Sequence, residues 1–333
     1  MSVYDIDGNE ISSSGSGDDF DVSEFPLIRT FSAFSNDYSC PSNSPRVLDI
    51  SYDTFLSTFY EPYLGWHGDF LVTKKELGKD ESGLYTIWAY EFKPLKPKRK
   101  VLLSSGMHTY ELPASFGLAR WVKDLVESND EVFQYLRENV HFSIIPIINP
   151  WGFNQNPKKY GNVNGVNPNR NFDDWTGAWE DFPVYTPSQN EWNVKGDAPF
   201  SEAETQILCD WVKSNMDATF YIDCHTGLGN SKGDVWIYYL SNNPLLSQIT
   251  TAYDALISYY RTTYGSSTGT KTIDDETMID AKYYQNVLGM PKITIEQTQG
   301  TSAHWGVTVP NNNPTAIKEY ARQIHAFVLA QLQ

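Results

Sequence analysis

The sequence predicts an α/β domain: a largely parallel β-sheet covered by helices on both faces. Three observations carry that expectation. Short apolar runs, Val101-Leu102-Leu103 and the stretch 140–148, read as strands buried on both sides. They alternate with stretches of helical periodicity, the pattern of a layered α/β fold. The chain has 333 residues, 40% of them hydrophobic, enough for one large core or two small ones.

Residues 1–20 stand apart as an appendage. Val3 to Ile11 could turn back at Asp7-Gly8, and Ser12 to Gly17 has the composition of a flexible linker. Residues 21–47 form a lead-in, and a single catalytic-sized domain is expected over 48–333. Phe70–Leu77 and Leu84–Phe92 flank a glycine-bounded turn and read as an antiparallel hairpin. Val101–Ser105 is a buried strand. Pro113–Glu127 follows as a helix, with Phe116, Leu118, Trp121, Val122 and Leu125 as its apolar stripe. Val140–Ile148 is a second buried strand. Residues 149–200 are rich in Asn, Pro, Gly and Trp, and so long an aperiodic loop in a compact domain usually carries function. Ser201-Glu202-Ala203-Glu204 has the pattern of a capping box for a helix reaching Asn215. Ala218–Asp223 and Val235–Leu240 are further strands. Asn313 and Pro314 open a last helix with Ile317, Tyr320, Ile324, Phe327 and Val328 on one face.

Composition excludes several classes. The net charge is −16, and the densest basic stretch is Lys96-Pro97-Lys98-Arg99-Lys100, so no nucleic-acid partner is expected. Any anionic substrate then needs a local cation. Three scattered cysteines, Cys40, Cys209 and Cys224, make neither a disulfide framework nor a thiolate metal site. Strand alternation points Cys224 into the core, opposite its neighbour His225. The N-terminus lacks the pattern of a signal peptide, and no apolar run approaches a membrane span. The expected location is therefore the cytoplasm, or outside the cell after non-classical or lytic release.

The chemistry gathers at strand ends. His108 and Glu111 follow the Val101–Ser105 strand, His225 ends the run Phe220-Tyr221-Ile222, and Glu296 ends Ile293-Thr294-Ile295. Sites in open parallel sheets lie beyond the carboxyl ends of the strands, so these four are expected to converge. Two His and one Glu are a zinc ligand set that leaves one coordination position open, the arrangement of a catalytic rather than a structural site. Glu296 would be desolvated at a strand end unless a partner such as water occupies it. In the long loop, Asn167-Pro168-Asn169-Arg170-Asn171 is a donor-rich cluster, and Arg170 can grip a carboxylate through two parallel hydrogen bonds. An Asx-rich turn explains the asparagines but not the arginine.

In this order and spacing, these pieces, with the turn Asn149-Pro150-Trp151-Gly152-Phe153, resemble the M14 family of zinc carboxypeptidases over most of residues 60–330. The resemblance implies a three-layer α/β/α sandwich around a mixed, mostly parallel eight-stranded sheet. It implies one zinc ion per chain, held by His108, Glu111 and His225, with Glu296 as general base. Asn169 and Arg170 match the pair that grips the substrate's free carboxylate. The implied substrate is a peptide or an N-acyl amino acid with a free carboxylate.

The sequence departs from the family at four places. Asn167 stands where an aspartate usually backs the first ligand histidine. No arginine lies between Arg137 and Arg170 to stabilise an oxyanion, so Lys158 and Lys159 are the cationic candidates there. Asp274 and Asp275 fall where a mobile tyrosine is expected, while Tyr283 and Tyr284 come later and read as packing residues. Tyr110 replaces an arginine common in the first motif and is a candidate substrate contact. Counting back from Glu296, Ala281 and Lys282 fall near the side-chain pocket, which directs attention to acidic or γ-glutamyl substrates, including cell-wall peptides. Two alternatives stay open: an N-acyl amino acid deacylase of the aspartoacylase or succinylglutamate desuccinylase type, and a phage or envelope binding module without catalysis.

Overall fold

A computed structural model describes residues 50–333 except 157, 174–176, 227–234, 265–268, 274–278 and 298–313. The appendage and the whole lead-in, Cys40, Asp274, Asp275 and Asn313 therefore lie outside the described residues.

Nine strands form one sheet among the described residues: β1 Gly65–His67, β2 Phe70–Lys79, β3 Thr86–Pro94, β4 Arg99–Ser105, β5 Val140–Ile145, β6 Phe220–His225, β7 Val235–Tyr239, β8 Gly269–Ile273 and β9 Lys292–Gln297. Their order is β1-β2-β3-β5-β4-β6-β9-β7-β8. The expected strand count was eight, and the three-residue edge strand β1, too short to read from sequence, is among the nine. The sheet is mixed as expected. Parallel pairing runs without interruption through its centre, β5-β4-β6-β9, and antiparallel pairs flank it on both sides.

Central strands must be apolar on both faces because helices cover both. Side-chain alternation then splits each strand between two cores. Val101, Leu103, Ile222 and Ile295 face a core filled by the helices Leu112–Glu127, Leu246–Tyr264 and Pro314–Leu332. Leu102 and Tyr221 face the other core, against Leu208, Trp211 and Val212 of the helix Ala203–Lys213. Cys224 lies in the first core, as its place beside His225 requires. The stripe Ile317, Tyr320, Ile324, Phe327 and Val328 is fully buried. Tyr283 and Tyr284 are also buried, the latter against Phe172 and Tyr221.

Two close approaches shape the strand ends. Gly106, directly after β4, has φ +68, and a Cβ there would lie 2.7 Å from Ile147 Cδ1. Only glycine makes that turn without strain. Gly117 leaves room for Tyr320, whose Cβ would sit 2.6 Å and whose nearest ring atoms would sit 2.8 Å from an added Cβ. Tyr320 uses that space to reach the exits of two strands, its hydroxyl 2.7 Å from His225 O and 2.9 Å from Ile295 O.

The capping box expected at Ser201 does not form. Glu202 is the N-cap residue and makes no side-chain cap bond. Ser201 Oγ instead accepts from Asn171 Nδ2 and donates to Glu202 Oε1. Glu204 accepts from Glu81 N at 3.1 Å and from Asn162 Nδ2 at 3.0 Å. Tertiary partners thus outcompete the local cap. The helices Tyr52–Phe59, Glu131–Asn139 and Leu246–Tyr264, and the strand β8, are present beyond those expected from sequence.

Glu204 is fully buried, and burial is the main cause that pushes its carboxyl up from 4.5 to about 7, against the pull of its hydrogen bonds. A raised folded-state value means that folding favours the protonated acid. The stabilisation is complete below about pH 4.5 and is lost as pH rises through about 7. The free energy involved is on the order of 3 kcal/mol. Urea midpoints measured from pH 4 to 8 should fall with rising pH in the native chain and fall less steeply in Glu204→Gln; parallel curves would show that Glu204 does not titrate with folding.

Candidate active site

Strand register brings the candidate residues together. Ser105 pairs with Cys224 across β4 and β6, and His225 pairs with Glu296 across β6 and β9. His108 follows β4 after the Gly106 turn, and Glu111 immediately precedes the helix Leu112–Glu127. A hydrogen bond from Glu111 N to His108 O, 3.1 Å, closes the turn between them.

The three expected ligands meet. His108 Nδ1 is 2.9 Å from Glu111 Oε1 and 3.1 Å from His225 Nδ1, and His225 Nδ1 is 3.0 Å from Glu111 Oε2. All three are buried. The far ring nitrogens are anchored outward: His108 Nε2 lies 3.0 Å from Asn167 Oδ1, and His225 Nε2 lies 3.0 Å from Asp223 Oδ2. Those oxygens accept, which assigns the ring protons to Nε2 and leaves both Nδ1 lone pairs turned toward the carboxylate. Converging lone pairs and a negative charge repel one another unless a cation sits among them. The separations of about 3 Å approach the ~3.3 Å edge of a tetrahedron with bonds of ~2.0–2.1 Å. The donor set therefore fits zinc. Asn167 does back His108, as an aspartate would, and also donates from Nδ2 to Trp192 O at 2.6 Å.

Glu296 is partly buried beside this cluster. Burial first, and then repulsion from Glu111, raise its carboxyl to about 7, while His225 and Arg170 pull it down. Arg170 thus lies within electrostatic reach of Glu296. Its Nε donates to Asn193 Oδ1 at 3.1 Å and its Nη1 to Asn169 O at 3.4 Å, and Nη2 has no hydrogen-bond partner among the described residues. Asn169 turns its amide nitrogen toward Asp280, 3.0 Å from both carboxylate oxygens.

The other candidates divide. Lys158 is buried and donates to Ile50 O and Phe153 O, with its ammonium 3.7 Å from the centre of the Phe153 ring. Its charge is engaged by the scaffold, which accounts for a lysine in this loop without an oxyanion. Lys159 is exposed. Tyr110 is half-buried, and its hydroxyl accepts from Trp192 Nε1 at 2.9 Å. Lys282 is half-buried at the end of the short helix Ile279–Lys282.

The family model for zinc carboxypeptidases, peptidase M14, matches residues 71–331. The chain belongs to the zinc carboxypeptidase family. It is 27% identical over 194 residues to carboxypeptidase B of Astacus astacus, an alignment that covers 51% of this chain and 61% of that protein. Its fold is similar to that of the carboxypeptidase A of Helicoverpa armigera, with a TM-score of 0.62 at 18% identity, covering 89% of this chain and 78% of that one. A metallo-carboxypeptidase from Burkholderia cenocepacia is similar with a TM-score of 0.58 at 19% identity, covering 84% and 69%. Among the described residues, no helix is long and apolar enough to cross a membrane.

Sequence reasoning missed the shell that holds this zinc carboxypeptidase family site. Lys292, fully buried, lies 3.2 Å from Asp223 Oδ2 and pairs with Asp280. Ser104 Oγ donates to Asp223 Oδ1 at 2.7 Å. The one available signal was Lys292 itself, a lysine opening an otherwise apolar strand. It reads as an exposed strand end when its partners are distant in sequence.

Asp223 orients His225, so Asp223→Asn should weaken zinc binding roughly 10- to 100-fold while leaving one ion per chain at saturation. Competition against a chromogenic chelator measures this, and an unchanged dissociation constant would show that the carboxylate does not support the ligand.

Proposed function

We propose that this chain is a zinc-dependent carboxypeptidase that hydrolyses the last amide bond of a peptide with a free carboxylate. One observation carries the reading. An arginine whose Nη2 has no hydrogen-bond partner among the described residues lies within electrostatic reach of a carboxylate of raised pKa, and that carboxylate pairs in the sheet with a residue of the three-residue cluster. A hydrolase that only needed to activate water would have no use for the arginine.

A bound zinc held by His108, Glu111 and His225 would supply a Lewis acid and lower the pKa of water toward neutrality. The remaining work falls to side chains. Glu296 accepts a proton from the attacking water and returns it to the departing amine. A value near 7 suits both transfers, because the group is then neither a spent base nor a reluctant acid. Arg170 holds the terminal carboxylate through charge-assisted hydrogen bonds, and Asn169 adds a contact beside it. Together they set the scissile bond one residue in from the terminus. Lys282, on a short helix packed against the segment Pro168–Arg170, supports a preference for an acidic or γ-linked glutamyl terminal residue. Equal turnover of peptides ending in Glu and in Leu would count against that preference. A deacylase would instead favour N-acetyl or N-succinyl amino acids over blocked dipeptides.

Glu296→Gln should lower kcat by roughly 10²- to 10⁴-fold with zinc retained. Arg170→Ala should raise KM by roughly 10- to 100-fold, the worth of a charged hydrogen-bonded pair. A base works only when ionised, so kcat/KM should fall as pH drops below a limb at or under about 7, a bound cation moving the limb to lower pH without changing its sign. A rate that is flat from pH 5 to 8, or full activity in Glu296→Gln, would remove Glu296 from the mechanism.

A further inference from the structure

Amide hydrolysis puts negative charge on the carbonyl oxygen, and a preorganised donor at that oxygen is usually among the largest contributions to catalysis. Neither lysine expected to serve is placed to do so by a contact with the cluster. The ammonium of Lys158 is bound to the carbonyls of Ile50 and Phe153, and Lys159 is exposed. The next residue in the chain behaves differently. The ring of Tyr160 stacks face to face on the imidazole of His108, with centroids 3.9 Å apart and planes 14° from parallel. The same ring meets Tyr110 at 5.4 Å and Trp192 at 6.4 Å.

The phenol lies within electrostatic reach of Glu111, Arg170 and Glu296, the groups that surround the reacting bond in the reading above. Its hydroxyl has no hydrogen-bond partner among the described residues, and Tyr160 keeps 9% of its surface exposed. The neighbouring aromatic is committed elsewhere, since the Tyr110 hydroxyl accepts from Trp192. The backbone on either side of Tyr160 is tied down. Thr109 Oγ1, beside His108, donates to Lys159 O at 2.5 Å, and Asn149 Nδ2 donates to Gly161 O at 3.0 Å. A donor held this way needs no reorganisation when charge develops.

We propose that Tyr160 is a catalytic residue: its hydroxyl donates a hydrogen bond to the scissile carbonyl oxygen as that oxygen becomes anionic, the task the sequence leaves without an arginine. The phenol keeps its proton throughout, so no bond to Tyr160 forms or breaks. The inference rests on the carboxypeptidase reading for the identity of the carbonyl.

The test compares zinc-loaded native chain with Tyr160→Phe, which preserves the ring on His108 and deletes only the donor. The probes are a blocked dipeptide, its phosphonate isostere and the product amino acid. Loss of one such donor lowers kcat by roughly 10²- to 10³-fold. KM should stay within about threefold and phosphonate affinity should fall by a factor similar to kcat, as expected for a contact made in the transition state. Product affinity, zinc content and melting temperature should not change. Values of kcat and phosphonate affinity within about threefold of native would overturn the inference, as would a rate loss matched by loss of zinc or of melting temperature. If the native chain turns over no blocked dipeptide, the carboxypeptidase reading fails separately. The phosphonate comparison still decides Tyr160: tighter binding by the native chain keeps the donor, and equal or absent binding removes it.

Discussion

A buried ammonium holds the two halves of the site together. Lys292 lies between Asp223, which backs His225, and Asp280, which holds the amide of Asn169. Both aspartates are almost fully buried. Two enclosed carboxylates without a cation would be too costly to keep ionised. With the lysine present, burial still disfavours charge, but the attraction of His225 and Lys292 holds the Asp223 carboxyl below the usual carboxylate range. One cation thus permits a fixed His225 in the three-residue cluster on one side and a fixed Asn169 on the other. The tie also explains why Lys292 opens a strand at the sheet centre, where an apolar residue would pack as well.

The fold delivers these groups by register rather than by local sequence. β4, β6 and β9 run parallel, so their carboxyl ends emerge side by side and each exit carries one functional segment. Tyr320, from the last helix, reaches the backbone carbonyls of His225 and Ile295 and pins two of those exits. Gly117 makes room for it in the helix that begins next to Glu111. The apolar packing of that helix pair and the placement of the ligands are therefore one arrangement. A side chain at Gly117 would press on Tyr320 and, through it, on the strand exits.

Much of the site was legible because its ligands sit where apolar runs stop. His225 closes β6, Glu296 follows the apolar run of β9, and His108 with Glu111 bridges a strand to a helix. Such positions are visible without tertiary knowledge. The setting of Lys158 was not legible: a lysine in a long loop looks available, yet its ammonium donates to the carbonyls of Ile50 and Phe153, far apart in the chain. The Ser201 capping box failed likewise, because Asn171 and Asn162 offered partners from elsewhere in the chain. Tyr160 drew no attention in sequence, since a tyrosine in a loop carries no charge and no periodicity. Its stacking on His108 depends on a loop held by Asn149 and Thr109.

By itself the sequence determined the alternation of buried strands and helices and the residue types that meet at the strand ends. These follow from local pattern, because burial on two faces demands apolar runs and zinc demands particular donor atoms. Only the tertiary structure decided which nitrogen of each histidine faces inward, which carboxylates back them, where Lys292 and Lys158 spend their charge, and which aromatic ring lies on His108. Those outcomes turn on competition among partners far apart in the chain, and register and packing settle that competition where composition and spacing are silent.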